Sequence, residues 1–273
     1  MRGRWLAGFL IALGAAPATA DPIHVPYRAT LGGIEIATGA LTIEVTAGHY
    51  QVSLDGVVPG DDARKVARAR AHTMGRVTRN ALVPDAYSAD LDNGGEKSRV
   101  ALGFTNGILA MVAVLPPGPK GSARTQPPQS QVLGLIDPLS ALAIPASPAH
   151  LAPLSACGRT QRIFDGVRRY ELTLFPSRGE IVMVDGSPIA ALVCRAVLRS
   201  APSTNPPAGN RRPMERWPEG APRGQQALVW LAPIAGGRLL VPVRVEASLG
   251  YGTLTVEATD PHAFNAALFA AAQ

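Results

Sequence analysis

The stretch that decides the fold class is Ser98–Leu115, with the sequence SRVALGFTNGILAMVAVL. Two runs rich in apolar residues, Ser98–Phe104 and Ile108–Leu115, flank the tripeptide Thr105–Gly107. The Asn-Gly pair in that tripeptide readily adopts the positive φ angles that a tight hairpin turn requires. The sequence therefore predicts an antiparallel β-hairpin here.

The same kind of pattern recurs on both sides of this hairpin. Within Thr38–Thr46, apolar and polar residues alternate with a period of two, which is typical of a half-buried strand. The pair Asp165–Gly166 predicts a second hairpin turn. Further strands are predicted over Tyr27–Ala37, His49–Leu54, Thr73–Asn80, Leu82–Ser88, Gly158–Phe164, Val167–Phe175, Glu180–Val184, Ile189–Ser200, Gln225–Ile234, Arg238–Ser248 and Tyr251–Ala258.

These consecutive hairpins, about a dozen strands in all, predict a mainly β protein with a few short helices. Because strands twist and open sheet edges need protection, we expect a curled antiparallel sheet, either a half-open barrel or a β-spiral. Helices are predicted at Asp61–Ala71 and Pro138–Ala143, and after Asp260–Pro261. In the last two, an Asp cap precedes a Pro at the first helical position.

The first 20 residues predict a cleavable secretory signal. Arg2 and Arg4 precede the apolar run Trp5–Ala16, and Ala18–Ala20 has the sequence of a cleavage site. We expect a mature chain that begins at Asp21 and is located in the periplasm. A transmembrane anchor is not expected, because the apolar run is shorter than the roughly 20 residues that span a bilayer.

The remaining residues, 21–273, are expected to form a single β-rich domain. Two segments rich in proline, 116–131 and 201–224, are predicted to be irregular loops. Removing Arg2 and Arg4 lowers the count of Lys and Arg from 26 to 24, against 20 acidic residues, which leaves a net charge of +4. This excess is small, forms no dense basic run and belongs to an exported chain, so a nucleic-acid partner is not expected.

The two cysteines, Cys157 and Cys194, are expected to form a disulfide, because an exported chain meets an oxidising compartment. The alternatives are a reactive thiol or a metal ligand. A C-x-x-C motif, which would favour redox chemistry, does not occur. The five histidines stand singly, without the spacing of metal ligands, so no metal or other cofactor is expected.

Candidate catalytic and binding residues are few. Ser140 lies in DPLSA rather than in a G-x-S-x-G motif, which favours a polar helix residue over a nucleophile. Asp165 is expected to hold a turn. Arg168 and Arg169 could bind an anion, but neighbouring strand residues point to opposite faces, so at most one could serve a given site. Trp217 and Trp230 could line a pocket or anchor the core. We therefore predict that the protein is not an enzyme.

Short motifs in a fixed order give the chain a family resemblance. They are YRATLGGI at 27–34, VPDAY at 83–87, DPLSAL at 137–142, IFDGVRRYEL at 163–172, the two cysteines and VPV at 241–243. The chain thereby resembles the uncharacterised bacterial envelope proteins catalogued as domain of unknown function 3108, over roughly Tyr27 to Ala258. The resemblance implies secretion and a curved antiparallel sheet, similar in outline to the periplasmic lipoprotein-carrier fold. It supplies no activity and no catalytic residues, and the insertion at 201–224 departs from it.

Two functions are compatible with these features. In the first, a non-catalytic periplasmic protein holds a lipid, a lipoprotein acyl chain or another apolar ligand on a concave β surface. In the second, a structural protein supports the cell envelope through protein partners, with the two irregular loops as contact points. An unrecognised hydrolase is a third, less favoured alternative, which a cluster of Ser or acid with His in the folded protein would revive.

Overall fold

The computed structural model describes residues 21–60, 66–116, 132–146, 156–200 and 225–264. These residues are predominantly β, and their strands form one sheet of 15 strands that nearly closes into a barrel. The strands are β1 (Ile23–Leu31), β2 (Ile34–Thr46), β3 (His49–Val58), β4 (Ala67–Val77), β5 (Leu82–Asp92), β6 (Lys97–Thr105), β7 (Ile108–Leu115), β8 (Leu135–Ile136), β9 (Ile144–Pro145), β10 (Arg159–Phe164), β11 (Arg169–Val184), β12 (Ser187–Ser200), β13 (Gln225–Ile234), β14 (Leu239–Leu249) and β15 (Gly252–Ala258).

The order of strands follows the chain because most connections are hairpins. Strands β1 to β7 pair in sequence, β10 to β15 do the same, and β1 joins β15 to make one continuous sheet. The predicted hairpin around Thr105–Gly107 is confirmed as β6 and β7, with positive φ at Asn106 (54°) and Gly107 (74°). The expectation of a curled antiparallel sheet is therefore confirmed.

An unsealed seam separates β7 from β8, the two ends of the sheet path. Across it, a single bridge joins Ile108 to Leu133. Two backbone hydrogen bonds accompany this bridge, from Leu109 N–H to Val132 O (3.3 Å) and from Gly134 N–H to Gly107 O (3.2 Å). The seam is thus tied at one end of β7 only, among the residues that the structure describes.

The main core is built from alternate residues of the strands. In β2, Leu41, Ile43 and Val45 are buried, as their alternation with polar residues predicts. Tyr50 and Val52 of β3 continue this set across the register, and β4 to β7 add further buried side chains. Burial of apolar area at about 25 cal/mol per Å² is the main stabilising contribution of such a cluster.

Segment 132–146 runs through this core from the seam to β14. It begins with β8, which pairs in parallel with β10, and it ends with β9, which pairs with β14. Between them lies a 3-10 turn at Ser140–Leu142. Four apolar side chains of the segment belong to the main core: Val132, Leu135, Leu139 and Ala143.

Strand β12 is buried on both faces. Ala191 and Val193 belong to the main core, whereas Leu192 and Cys194 belong to a second cluster on the opposite face. The second cluster consists of Ile144, Ala156, Cys157, Leu174, Leu192, Cys194, Ala196, Leu231 and Leu240. The predicted disulfide joins Cys157 to Cys194 inside this cluster, with 5.8 Å between the two Cα atoms.

The predicted helix at Asp61–Ala71 is wrong from Ala67 onward, where β4 begins; residues 61–65 lie outside the described residues. Alanines favour helices as isolated residues. Here, however, they alternate with Arg68 and Arg70, and strand pairing on both sides of β4 uses that period of two. Tertiary pairing therefore overrides the local helix preference.

The other two predicted helices are only single 3-10 turns. Ser140–Leu142 replaces the predicted helix Pro138–Ala143, and Pro261–Ala263 follows the predicted cap Asp260, whose carboxylate accepts from His262 N–H (2.9 Å). No α-helix occurs in the ranges described above. Several strands also differ from their predicted bounds. β11 runs without a break through the predicted strands Val167–Phe175 and Glu180–Val184, with a bulge after Pro176, and β3, β4 and β5 each extend past a predicted end. The predicted strand Tyr27–Ala37 is wrong as a single strand, because a turn at residues 32–33 divides it between β1 and β2.

Removing the disulfide with Cys157→Ala and Cys194→Ala is expected to lower the free energy of unfolding by up to about 4 kcal/mol, because the crosslink restricts the unfolded chain over a sequence separation of 37 residues. Guanidinium unfolding of the double variant and of the oxidised protein measures this difference. Non-reducing peptide mapping checks the link itself. Equal midpoints for the two proteins would contradict the expected role of the crosslink.

Candidate functional site

A buried carboxylate, that of Asp137, holds the turn of segment 132–146. Its Oδ1 accepts hydrogen bonds from the backbone N–H groups of Leu139 and Ser140, both at 2.9 Å. These two donors are among the N–H groups that a helical turn leaves without a partner inside the helix. Asp137 therefore holds the turn with its side chain, as a cap would, although Leu139 and not Asp137 occupies the position directly before the 3-10 turn.

The second oxygen of the same carboxylate connects the turn to the strands around it. Asp137 Oδ2 lies 2.5 Å from the hydroxyl of Ser140 and 3.0 Å from that of Thr73 on β4. The Tyr50 hydroxyl on β3 lies 2.6 Å from Ser140 Oγ. We call these four residues the Asp137 cluster: Tyr50, Thr73, Asp137 and Ser140. The cluster ties the turn to two neighbouring strands.

The cluster is closed to solvent. Asp137 and Thr73 have no exposed surface, and Ser140 and Tyr50 are 1 % exposed. Burial raises the pKa of Asp137 above its usual 3.8, and the hydrogen bonds from Ser140 and Thr73 oppose that shift. Burial also raises the pKa of the phenols of Tyr50 and Tyr87, the second of which lies near the same carboxylate.

This arrangement is suited to holding the chain rather than to attacking a substrate. The Ser140 hydroxyl is enclosed between a carboxylate and a phenol, and no imidazole is among its hydrogen-bond partners in the described chain. A nucleophilic serine needs a base and an approach for the substrate. Buried polar groups that satisfy one another in this way stiffen a core.

A second aspartate holds the turn between β10 and β11. Asp165 Oδ1 accepts from the N–H groups of Val167 (2.7 Å) and Arg168 (2.6 Å), and its Oδ2 accepts from the Tyr170 hydroxyl (3.1 Å). The expectation that Asp165 holds a turn is thus confirmed. The turn packs on β6: Gly166 has φ +96°, and a Cβ built there would lie 2.3 Å from Cγ1 of Val100. Glycine is required at this position by conformation and by space.

An open groove of about 470 Å³ lies on β1 to β4. Cross-strand pairing places Arg28, Thr38, Val57 and Arg68 in one row of it. Such directly paired residues point to the same face of a sheet. A second row on that face contains Pro26, Ala40, Asp55 and Arg70.

Glycines leave part of the groove lining to main-chain atoms. Gly39 and Gly56 are paired with each other in neighbouring strands and alternate with the rows of side chains. A Cβ built on Gly39 would lie 2.8 Å from the backbone oxygen of Asp55. Any larger residue at this position would therefore displace β3.

Charged side chains line the groove, and most of them are paired. Arg28 bonds Glu257 at 2.9 Å, and Arg70 bonds Asp55 at 3.1 Å. Arg68 lies in the same row as Arg28 and on the same strand as Arg70. It is exposed and has no ion pair to another described residue. The groove thus presents one guanidinium without an ion pair to a described residue, next to uncharged lining residues such as Val57 and Ala69. Guanidinium groups bind carboxylates and backbone carbonyls with defined geometry.

The remaining candidate residues lie apart from one another. Trp230 is buried in the main core, with the Arg244 guanidinium 5.5 Å from its ring centroid. Trp217 lies outside the described residues, as does the whole segment 201–224. Arg168 and Arg169 follow the Asp165 turn at the start of β11, which β12 to β15 separate in the sheet from β1 and the groove. Among the described residues, no group of His, Cys, Asp or Glu is placed to hold a metal ion, and no helix is long and apolar enough to cross a membrane.

Both sites contain residues that sequence reasoning missed. Tyr50 and Thr73 join the Asp137 cluster from strands distant in sequence, and no local pattern connects them to DPLSA. The groove arginines had a usable signal, because Arg68 and Arg70 share a face if the segment is a strand. The helix prediction for Asp61–Ala71 concealed it.

Residues 26–259 match the model of a family described as a protein of unknown function (DUF3108). Searches of curated proteins and of solved structures give no match to the chain. Two motifs that carry the resemblance, DPLSAL at 137–142 and IFDGVRRYEL at 163–172, contain the two aspartates that hold turns against the barrel.

The burial of Asp137 predicts a specific dependence of stability on pH. A folded-state pKa above the unfolded value means that this group stabilises the fold below about its usual pKa and that the contribution is lost as the pH rises through the raised pKa. Asp137→Asn cannot titrate, so the wild-type protein is expected to lose stability relative to this variant as the pH rises above the usual carboxyl pKa of 3.8. Urea unfolding of both proteins over a series of pH values measures the difference. A difference that is constant, or that grows in favour of the wild type with rising pH, would contradict the assignment.

Proposed function

The chain belongs to the DUF3108 family of proteins of unknown function, and we propose that it is a non-catalytic periplasmic protein that supports the cell envelope by binding a protein partner. One contrast carries the proposal. The hydroxyl and carboxylate groups that the fold brings together are buried and bonded to one another, whereas the charged groups of β1 to β4 line an open groove.

The chemistry of the groove favours a polar partner. Its arginines Arg28, Arg68 and Arg70 and its carboxylates Glu35 and Asp55 would have to be desolvated beneath an acyl chain. Burying charged groups against an apolar chain is costly, most of all for the guanidinium of Arg68, which has no ion pair to a described residue. A peptide segment can instead supply carboxylates and backbone carbonyls to these guanidinium groups. The rim of a protein interface is typically polar in this way.

An apolar ligand, such as a lipid or a lipoprotein acyl chain, remains the second proposal, with a specific observation in its favour. On the hairpin of β11 and β12, Ile181 and Met183 are 66 % and 60 % exposed. They pair with Ala190 and Pro188, so all four share one face of the hairpin tip. Exposed apolar patches of this kind mark sites of interaction with apolar partners.

A photo-reactive amino acid at Val57, in the groove, tests the first proposal in the periplasm. A reproducible adduct of discrete mass is expected, and its yield is expected to fall several-fold when Arg68→Glu reverses the unpaired charge. Placing the same probe at Gln51, on the same face of β3 but outside the groove, provides the matched control. Arg79→Glu, just beyond the opposite end of β4, controls for the change in net charge.

Two results would contradict binding of a protein at the groove. Equal adducts from Val57 and Gln51 would show collision rather than docking. Absence of any adduct, together with a stoichiometric lipid mass in native mass spectrometry of the detergent-free protein, would favour the apolar ligand. In that case Ile181→Asp and Met183→Asp are expected to abolish the extra mass.

A further inference from the structure

Within the described part of the chain, most of one edge of strand β7 has no partner, and the strand carries no charge. One side of β7 pairs with β6 along its length, but the other is bonded only near Ile108 and Leu109, by residues 132–134. No described strand pairs with the rest of that edge, 110–115. The strand has the sequence ILAMVAVL and carries no charge. Edge strands are usually protected by charged residues, prolines or bulges, because unpaired backbone groups invite another strand. β7 has a bulge at Ala110 and is followed by Pro116, so residues 111–115 are the part of the edge that lies between these two protections.

The composition of the following segment makes it a poor partner for this edge. Residues 117–131 contain four prolines, Pro117, Pro119, Pro127 and Pro128, and carry no large apolar side chain. Proline lacks the backbone N–H that a ladder requires. The edge at 111–115, which has no partner among the described residues, can accept a strand from another chain.

We propose that this edge pairs with the same edge of a second copy of the chain, about a two-fold axis through Ala113. In this register, Met111 lies opposite Leu115 of the second copy, and Val112 lies opposite its Val114. The register keeps the two faces of the sheet distinct, because Met111 (52 % exposed) and Leu115 (55 % exposed) point outward and Val112 and Val114 pack against the core. A one-residue shift would oppose outward and inward side chains.

The sequence is self-complementary in this arrangement. A two-fold interface places the same patch on both subunits, so any charge near the axis would oppose itself. β7 has none. Met111 and Leu115, two exposed apolar side chains of the strand, cover each other, and alternate residues within 111–115 of each copy form backbone hydrogen bonds across the axis. The pairing stops short of Leu109, because the N–H of that residue already bonds Val132 O.

The dimer does not depend on the proposed partner groove. The groove lies on β1 to β4, whereas the axis lies on β7. Loss of the Val57 adduct would leave the dimer unaffected, and a monomeric protein could still bind a partner. The two proposals fail by different measurements.

The substitution Ala113→Cys tests the axis directly. Residues directly opposite each other in an antiparallel pair have Cβ atoms about 4.5–5.5 Å apart, close to the separation that a disulfide needs. Mild oxidation is expected to convert the variant into a covalent dimer. Peptide mapping should show a link between the two introduced cysteines, with the Cys157–Cys194 link intact. Met74→Cys, an outward position on the interior strand β4, is the matched control and is expected to stay monomeric.

A second pair of variants keeps Ala113→Cys as the only introduced thiol and adds a lysine either at the edge or away from it. Met111→Lys, introduced into Ala113→Cys, places a charge at the interface and is expected to lower the dimer yield several-fold. Met74→Lys, in the same background, alters another exposed methionine away from the edge and is expected to leave the yield unchanged. Crosslinking of Ala113→Cys to a different protein but not to itself would overturn the proposal. So would equal yields from Ala113→Cys and Met74→Cys.

Discussion

The arrangement of the barrel depends on the hydrogen bonds that the buried carboxylate of Asp137 accepts. This carboxylate accepts hydrogen bonds from two backbone N–H groups of its own turn and from the Thr73 hydroxyl on β4. Through the Ser140 hydroxyl it is also connected to Tyr50 on β3. Segment 132–146 can therefore enter the core although it carries polar backbone. Without these bonds, the turn would leave buried donors unpaired, at a cost of about 1–3 kcal/mol for each. The segment would then have no reason to stay among apolar side chains.

Fixing this segment determines two other features of the molecule. At its start, residues 132–134 bond β7 and hold one end of the seam, which leaves the rest of the β7 edge unpaired within the described chain. At its end, β9 pairs with β14, and Ile144 enters the second cluster next to Cys157 and Cys194. The disulfide thus secures the outer face of β12, whose inner face contributes to the main core. Segment 132–146 thus connects the buried turn, the seam and the cluster that contains the disulfide.

Much of this fold could be predicted from the sequence because hairpins are local. Asn106 and Gly107 supply the positive φ angles of the β6–β7 turn, and alternation in β2 identifies which residues enter the core. Long-range features could not be predicted in this way. The role of Asp137 depends on Tyr50 and Thr73, which approach it only after β3 and β4 have paired. The groove forms only because Arg68 and Arg70 lie in a strand. The local preference of this segment for a helix led to the wrong prediction there.

Hydrogen exchange of segment 132–146 tests the central claim most directly. If the Asp137 cluster holds the turn inside the core, the N–H groups of Leu139 and Ser140 should exchange as slowly as those of β2 and β3, and Asp137→Ala should accelerate them selectively. The matched measurement is exchange in the β11–β12 turn around Asp185, which is exposed and should be fast in both proteins. Rapid exchange of 139–140 in the wild-type protein, with the strands still protected, would contradict the account.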